Sequence, residues 1–287
     1  MATGDCRMSE PLAPASGRRN LVILRAGNSS LHKEWIASPH RDFDLYISYY
    51  GADEGRYAED AEYHEMRKGP KWPCIHDLLA TRPDLIERYD AFWFPDDDIS
   101  ASTDTLNRMF AFFHALQLEL AQPALTRDSY FSWSHLLQRD DFLVRYVAFV
   151  EVMVPVFSRA ALSRCLPTFN ENRSGWGLDW VWPSLCSNGD PKKVGLIDAT
   201  PVKHTRPVGG ELYKNNPEMD PRREAERVHA KYNVKPVKAL AIYPLNGGVG
   251  FTQPPWLERI RLAIKVANGH RKFRRNQARR QNPTDST

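Results

Sequence analysis

Three consecutive aspartates follow an apolar segment and give the strongest chemical signal in the sequence. Asp96, Asp97 and Asp98 come directly after residues 89–95, which are rich in aromatic side chains. Like charges this close repel one another unless a cation neutralises them or their pKa values rise. Because side chains alternate along an extended chain, Asp96 and Asp98 are expected to point the same way. The pattern indicates a divalent-cation site, and the alternative is a solvated acidic turn in which Asp98 or Ser100 caps the next helix.

A second candidate is the segment in which Gly175 and Gly177 flank Trp176. The glycines permit close approach of the backbone, and the indole offers a flat apolar wall with one hydrogen-bond donor. Asp179 follows at the predicted start of a helix that runs through residues 180–185. Asp179 is interpreted either as a general base beside a stacking pocket or as a helix cap among core tryptophans.

A third candidate is the predicted loop at residues 200–207, directly after a predicted strand. His204 could complete a metal shell through a ring nitrogen, and Lys203 and Arg206 could contact phosphate. The alternative is a loop of ordinary polar residues. Glu151, in another predicted strand, is either a second acid of the pocket or a hydrogen-bonded structural carboxylate.

The elements that must position these residues alternate through the first half of the chain. Short apolar runs predict strands, and apolar residues at helical spacing predict helices. This alternation favours a parallel α/β sheet. The predicted strands are residues 20–24, 43–50 and 89–95, the predicted helices are 31–37, 72–86 with a break at Pro83, and 102–120, and residues 52–71 are predicted to be irregular.

The second half has a more mixed pattern. Residues 209–255 are rich in Gly, Pro and Asn, and they are expected to wrap around the body of the protein. The predicted strands are residues 130–133, 149–157 and 194–199, and a helix is predicted at 159–166.

Composition limits the classes of protein. The 287 residues are 42% hydrophobic, and the four widely spaced cysteines form no CxxC pair, so reduced thiols are expected rather than a disulfide framework or a zinc site. No targeting segment or membrane-spanning run is evident, which favours a cytoplasmic location. The net charge of +4 is uneven, because residues 256–287 hold nine Lys or Arg and two acidic residues.

This basic segment predicts a distinct C-terminal region. Residues 256–266 have the pattern of an amphipathic helix, and a basic run follows. Such segments are typical of peripheral contact with a membrane surface, and the alternatives are nucleic-acid binding and a solvated tail. The predicted organisation is a disordered tail at 1–18, one domain at 19–255 and the basic segment at 256–287.

Taken together, these motifs resemble the GT-A glycosyltransferases. More narrowly, residues 20–235 resemble an uncharacterised family placed in that superfamily, some of whose plant members are labelled "lysine-ketoglutarate reductase trans-splicing related". The resemblance implies an α/β, Rossmann-like, three-layer sandwich around a mostly parallel, mixed sheet. It depends on four segments, residues 96–99, 150–158, 175–180 and 198–210.

The resemblance also implies a mechanism and a set of site residues. The implied function transfers a sugar from a nucleotide-sugar donor to a glycan or lipid-linked acceptor. Asp96, Asp98 and His204 would hold Mn²⁺ or Mg²⁺, and Asp179 would be the general base. Relatives commonly place a second acid before this base, whereas Leu178 stands here. The residues expected to contact the donor are Arg25, Gly27, Ser30, Tyr49, Lys71, Asp96 and Lys203. The rival functions are a metal-dependent phosphoesterase and a non-catalytic nucleotide- or carbohydrate-binding module.

Overall fold

Strands and helices follow one another along the chain in the computed structural model, which describes residues 16–207, 220–234 and 248–249. The strands are β1 (Asn20–Ala26), β2 (Phe43–Tyr49), β3 (Tyr63–Met66), β4 (Ala91–Trp93), β5 (Ile99–Ser100), β6 (Leu120–Leu125), β7 (Val144–Tyr146), β8 (Val156–Ser158), β9 (Val194–His204) and β10 (Gly248–Val249). The α-helices are α1 (His32–Trp35), α2 (Lys71–Thr81), α3 (Pro83–Arg88), α4 (Thr103–Ala115), α5 (Arg159–Cys165), α6 (Leu178–Ser187) and α7 (Pro221–Lys231).

The strands form a mixed sheet in the order β10-β7-β9-β6-β8-β4-β1-β2-β3, and β5 pairs with β9 beside it. The longest pairings, β1 with β2 and β6 with β9, are parallel, and β1 is also parallel to β4. Strand β8 lies antiparallel between β4 and β6. The predicted parallel sheet of the first half and the mixed character of the whole sheet are confirmed.

Helices cover both faces of this sheet. Alternate residues of β1 enter two separate cores, because successive side chains of a strand point to opposite faces. Leu21 and Ile23 pack in the core that contains side chains of α2, α3, α5, α6 and α7. Val22 and Leu24 pack in the core that contains side chains of α1 and α4. The predicted three-layer α/β sandwich is therefore confirmed.

Local sequence explains where several elements begin and end. All seven residues of β1 are buried, as expected for a continuous apolar run in a strand covered on both faces. Pro83 starts α3 and separates it from α2. The hydroxyl of Ser102 accepts a hydrogen bond from the backbone N–H of Thr105 at 3.1 Å and caps α4. The cap is therefore Ser102, and the interpretation of Asp98 or Ser100 as the cap is wrong.

Strands β3, β5, β6, β7 and β10 lie where no strand was predicted. Strands β3 and β6 escaped prediction because their sequences lack a clear apolar pattern. Residues 52–71 contain β3, whose side chains are only partly buried at the edge of the sheet. The predicted helix at 102–120 ends at Ala115, and Leu120 already belongs to β6. Pro123 lies inside β6, where the register with β9 shifts, and proline in a strand sequence argues against a central strand.

The predicted strand at 130–133 is wrong, and the predicted strands at 89–95 and 149–157 are too long. Residues 130–133 form no strand, and of residues 149–157 only the last two belong to β8. Phe149, Val150, Met153 and Val154 are nevertheless buried. The carbonyls of Met153 and Pro155 accept hydrogen bonds from the N–H groups of Asp96 and Phe94, so this segment runs beside the residues that follow β4 without forming a regular strand. Burial outside a regular strand produced the misleading apolar pattern.

Candidate active site

The aspartate triplet lies beyond the carboxyl end of β4, beside the loop that follows β1. Its middle member faces that loop. The Asp97 carboxylate accepts hydrogen bonds from the backbone N–H of Gly27 at 2.7 Å and from the Tyr50 hydroxyl at 3.2 Å. Arg206 donates to its other oxygen at 3.0 Å. Asp97 therefore fixes the loop after β1, and it is separated in role from its two neighbours.

Asp98 faces His204, the last residue of β9. Pairing of β5 with β9 brings Ile99 opposite His204, and Asp98 Oδ2 lies 3.3 Å from His204 Nε2. The other ring nitrogen, Nδ1, lies 2.9 Å from the carbonyl oxygen of Tyr130 and must donate to it. This hydrogen bond turns Nε2 towards Asp98. Asp98 is 7% exposed, and its Oδ1 is buried without a hydrogen-bond partner.

The charge state of His204 follows from this contact. Burial lowers the pKa of His204, but the hydrogen bond and the negative charge of Asp98 outweigh it and raise the pKa above its usual value. The imidazole and the carboxylate thus attract each other in the absence of any other cation. A bound metal would replace the ring proton between the two groups.

Asp96 is paired with Lys71, the first residue of α2. The Lys71 ammonium donates to Asp96 Oδ1 at 2.6 Å, to the carbonyl of Phe94 at 2.8 Å and to the carbonyl of Val152 at 3.1 Å. Burial lowers the pKa of Lys71, and the charge of Asp96 opposes the change. Desolvation raises the pKa of Asp96, opposed in turn by Lys71. The side chain of Asp96 keeps 41% of its surface exposed and stays open to a ligand.

Glu151 lies in the segment before β8, which runs beside the residues that follow β4. Its backbone N–H donates to the buried side-chain carbonyl of Gln122 at 2.6 Å. The residue is 6% exposed, and its Oε2 has no hydrogen-bond partner. Burial raises the pKa of Glu151 to about 8, opposed by His204 and supported by the negative charge of Asp179. Glu151 is therefore a buried acid that interacts electrostatically with both His204 and Asp179.

Asp179 lies in the first turn of α6, directly after the two glycines. Gly177 caps the helix with φ +92°, and a Cβ there would meet the Cα of Ala225 in α7 at 2.9 Å. Gly175 has φ +80° and packs against the indole of Trp72. The close approach predicted for the glycines is therefore present. Trp176 between them is 39% exposed.

The carboxyl of Asp179 is only partly satisfied. Its Oδ1 is buried without a hydrogen-bond partner, and burial raises the pKa of Asp179 to about 7 against backbone hydrogen bonds at the helix start. The carbonyl of Asp179 accepts from the N–H of Val150 at 3.2 Å. This backbone contact places the start of α6 against the segment that carries Glu151.

The predicted donor-binding residues divide into two groups. The cluster formed by Lys71, Asp96, Asp98, Glu151, Asp179 and His204 is called the recess below. Lys71 and Asp96 belong to it, and Gly27 lies beside it, bonded to Asp97. The others make internal contacts. Arg25 is 5% exposed and donates to Ser48 and to the carbonyl of Gly69, Ser30 bonds to His32 at 2.9 Å, and the buried Tyr49 donates to Asn28.

Lys203 belongs to β9 rather than to the predicted loop, as does His204. The two residues alternate along the strand, so their side chains leave opposite faces. Lys203 forms an ion pair with Asp128 at 2.6 Å. The structure therefore brings His204, and not Lys203, to Asp98.

Tyr50 is a feature of this recess that the sequence did not single out. Tyr49 was expected to contact the donor, but Tyr49 is fully buried and Tyr50 is 42% exposed. The guanidinium of Arg25 lies 5.6 Å from the centre of the Tyr50 ring. Adjacent tyrosines at a strand end look alike in sequence. Strand β2 is buried on both faces and ends at Tyr49, so Tyr50, just beyond the strand, is the one that reaches solvent.

The residues fit a metal ion in part. Among residues 16–207, 220–234 and 248–249, no group of three or more His, Cys, Asp or Glu side chains is arranged as a complete metal site. Asp98 and His204 are nevertheless paired, and one oxygen of Asp98 has no hydrogen-bond partner. Mg²⁺ and similar ions are commonly held by one or two protein groups together with substrate phosphates. This pair fits such a shared site.

Comparisons with known proteins agree with the uncharacterised family that was expected. The fold and site define an α/β protein with an acidic recess at the carboxyl ends of parallel strands. A family model described as "Protein of unknown function (DUF707)" matches residues 143–239, the segment that contains Glu151, Asp179 and His204. No curated protein matches the chain.

In the part of the chain that the structure describes, no helix is long and apolar enough to cross a membrane.

Solved structures with a related arrangement are distant from this chain. TarS residues 1–349 from S. aureus in complex with UDP-GlcNAc is 12% identical, with a TM-score of 0.48, over 77% of this chain and 68% of that chain. The same protein in complex with UDP gives the same values. A197 from STIV is 13% identical, with a TM-score of 0.37, over 66% of this chain and 86% of that chain. All three TM-scores lie below 0.5.

Proposed function

We propose that the protein is a metal-dependent glycosyltransferase that moves a sugar from a nucleotide-sugar to a hydroxyl of a glycan or lipid-linked acceptor. The observation that carries the proposal is that the Asp98–His204 pair and Asp179 belong to the same recess as Glu151. The first two can share a cation with a diphosphate. The third can accept a proton, so the recess offers both halves of a sugar transfer.

The phosphate side of the recess would hold the donor. Asp98 and His204 would bind Mn²⁺ or Mg²⁺, with Asp96 open beside them. The cation, when bound, would offset the negative charge that grows on the departing nucleoside diphosphate. The ammonium of Lys71 lies next to Asp96 and would contact the same phosphates. The exposed ring of Tyr50, beside Gly27, offers a face on which the base of the nucleoside would stack.

The acceptor side would depend on Asp179. Its unpartnered Oδ1 would accept the hydrogen bond of the acceptor hydroxyl and then its proton. A general base works best when its pKa lies near the operating pH, and burial gives Asp179 a pKa of about 7. Trp176, exposed next to the start of α6, would contact the acceptor through its apolar face.

The proposal is tested by thermal denaturation of the full-length chain with a panel of nucleoside diphosphates, with and without Mn²⁺. A ligand that binds only the folded state raises the melting temperature. We expect one nucleoside diphosphate to stabilise the protein only when Mn²⁺ is present, and Asp98→Asn to abolish this shift. The matched control is Asp104→Asn, whose carboxylate is 77% exposed on α4.

Three outcomes separate the candidate functions. Absence of any Mn²⁺-dependent shift would exclude the proposed donor site. Release of nucleoside diphosphate from a nucleotide-sugar supports the transferase, whereas hydrolysis of simple phosphate esters without sugar release supports a phosphoesterase. Binding without turnover of any nucleotide-sugar supports a non-catalytic module.

A further inference from the structure

Glu151 has a buried carboxyl that neither the cation nor the proton transfer uses. The residue is 6% exposed, and its Oε2 has no hydrogen-bond partner. An unsatisfied buried polar atom is destabilising, so an oxygen kept in this state calls for a partner that the protein itself does not supply. The positive charge of a bound cation would favour the ionised form of Glu151. An ionised carboxylate only accepts hydrogen bonds, so the ligand must donate one.

The backbone around Glu151 shows what lies on each side of it. On one side, the N–H of Val150 donates to the carbonyl of Asp179 at 3.2 Å. On the other side, the carbonyl of Val152 accepts from Lys71 at 3.1 Å, and the carbonyl of Met153 accepts from the N–H of Asp96 at 2.7 Å. Four consecutive residues therefore connect the proposed base to the proposed phosphate contacts.

The position of Glu151 is also rigid. Its N–H bonds to Gln122, a fully buried residue of β6, at 2.6 Å, and the Ser132 hydroxyl bonds to its carboxyl. A side chain held from both ends presents its remaining oxygen in one direction. The group bonded to the diphosphate must lie between the phosphate contacts and the base, and Glu151 occupies that interval.

We propose that Glu151 binds the transferred sugar itself and selects a neutral sugar over a uronic acid. This inference rests on the proposed function. The Oε2 atom would accept a hydrogen bond from a hydroxyl or acylamino group of the sugar. A sugar carboxylate would instead add negative charge to a recess where Asp96, Asp98, Glu151 and Asp179 already gather. Like charges in a desolvated site repel strongly.

The test compares the affinities of three ligands for the full-length protein by calorimetry in the presence of Mn²⁺. They are the nucleoside diphosphate that stabilises the protein and its neutral and acidic sugar derivatives. For uridine the derivatives are UDP-glucose and UDP-glucuronate, and for guanosine they are GDP-mannose and GDP-mannuronate. We expect the wild type to bind the neutral derivative at least about tenfold more tightly than the acidic one.

Glu151→Gln keeps the shape of the side chain but removes its charge. This variant shows whether Glu151 causes the preference for the neutral derivative. The variant is expected to bind the neutral derivative about tenfold more weakly and to lose most of the discrimination against the acidic derivative. Its affinity for the nucleoside diphosphate is expected to stay within about twofold, which also shows that the variant folds. The control is Glu87→Gln, exposed on α3, which leads into the opposite end of β4.

The results distinguish this inference from the proposed function. If no nucleoside diphosphate binds, the proposed function is wrong, and so is the inference that rests on it. If the diphosphate binds but the wild type accepts both derivatives equally, the selection of a neutral sugar is wrong. If Glu151→Gln weakens the bare diphosphate as much as the neutral derivative, Glu151 acts on the phosphates and not on the sugar.

Discussion

At the scale of single residues, the acidic groups of the recess are distinguished by their partners rather than by their type. Asp97 is fully engaged with Gly27 and Arg206, whereas Asp98 keeps an orphaned oxygen beside His204. Asp96 is neutralised by Lys71. One aspartate thus shapes the loop after β1, one pairs with a histidine that can bind a metal, and one is paired with an ammonium group.

The same scale gives a prediction for Asp179. With a pKa of about 7, the carboxyl is protonated at acidic pH and can act as a base only as the pH rises through about 7. The wild-type rate of nucleoside diphosphate release from a nucleotide-sugar is expected to rise over that interval. Asp179→Asn is expected to lower the rate by about 10²–10⁴-fold and to remove the rising limb. The rate is measured between pH 5 and 9 with saturating Mn²⁺.

Donor binding provides the control for that experiment. Asp179→Asn should bind the nucleoside diphosphate as the wild type does, because Asp179 lies on the acceptor side of the recess. A variant that keeps the rising limb would show that another group, such as Glu151 with its pKa of about 8, is the base.

At the scale of elements, the contact between α6 and α7 sets the position of Asp179. Gly177 begins α6 in the left-handed region, and the Cα of Ala225 leaves no room for a Cβ. The imidazole of His229, also on α7, lies 3.2 Å from the carbonyl of Gly177. The helix start that carries Asp179 is thus held in place by α7, which lies about fifty residues further along the chain.

This packing predicts the effect of a single methyl group. Gly177→Ala is expected to destabilise the protein by about 2–4 kcal/mol, since it adds left-handed strain to a clash with backbone that cannot rotate away. Gly55→Ala is the matched control, because Gly55 has φ +71° and nothing within 4 Å of its added Cβ. Its cost is expected to be about 1–2 kcal/mol, from strain alone. Equal losses in urea unfolding would show that α7 moves aside.

At the scale of the whole molecule, the described residues form one sheet with helices on both faces, and the recess lies at the carboxyl ends of its parallel strands. The predicted N-terminal tail falls almost wholly outside the described residues. The basic segment at 256–287, predicted to contact a membrane surface, lies entirely outside them. That contact remains a proposal that follows from sequence and charge.

Liposome flotation tests the basic segment. Full-length protein is expected to float with vesicles that contain anionic lipid, and to lose this attachment as the salt concentration rises, because the attraction is electrostatic. Deletion of residues 256–287 is expected to abolish flotation and to leave the Mn²⁺-dependent binding of the nucleoside diphosphate intact. Unchanged flotation after the deletion would refute the membrane contact.

The sequence by itself determined the features that depend on neighbours along the chain. The apolar runs at β1, β2 and β4 predicted the parallel sheet, because a continuous apolar run indicates a strand that is buried on both faces. Strand alternation separated Asp97 from Asp96 and Asp98. Pro83 marked the break between two helices. These are short-range effects of backbone sterics and side-chain periodicity.

The tertiary structure decided which distant residues meet. Strand β6 was hidden by Pro123, which its neighbours accommodate through a shift of register. The extension of β9 to His204 placed that residue at Asp98 and turned Lys203 away. The pairing of Lys71 with Asp96, and the position of Glu151 between that pair and Asp179, depend on contacts between residues far apart in the chain. Local patterns do not encode such contacts, because they arise only when separate elements pack together.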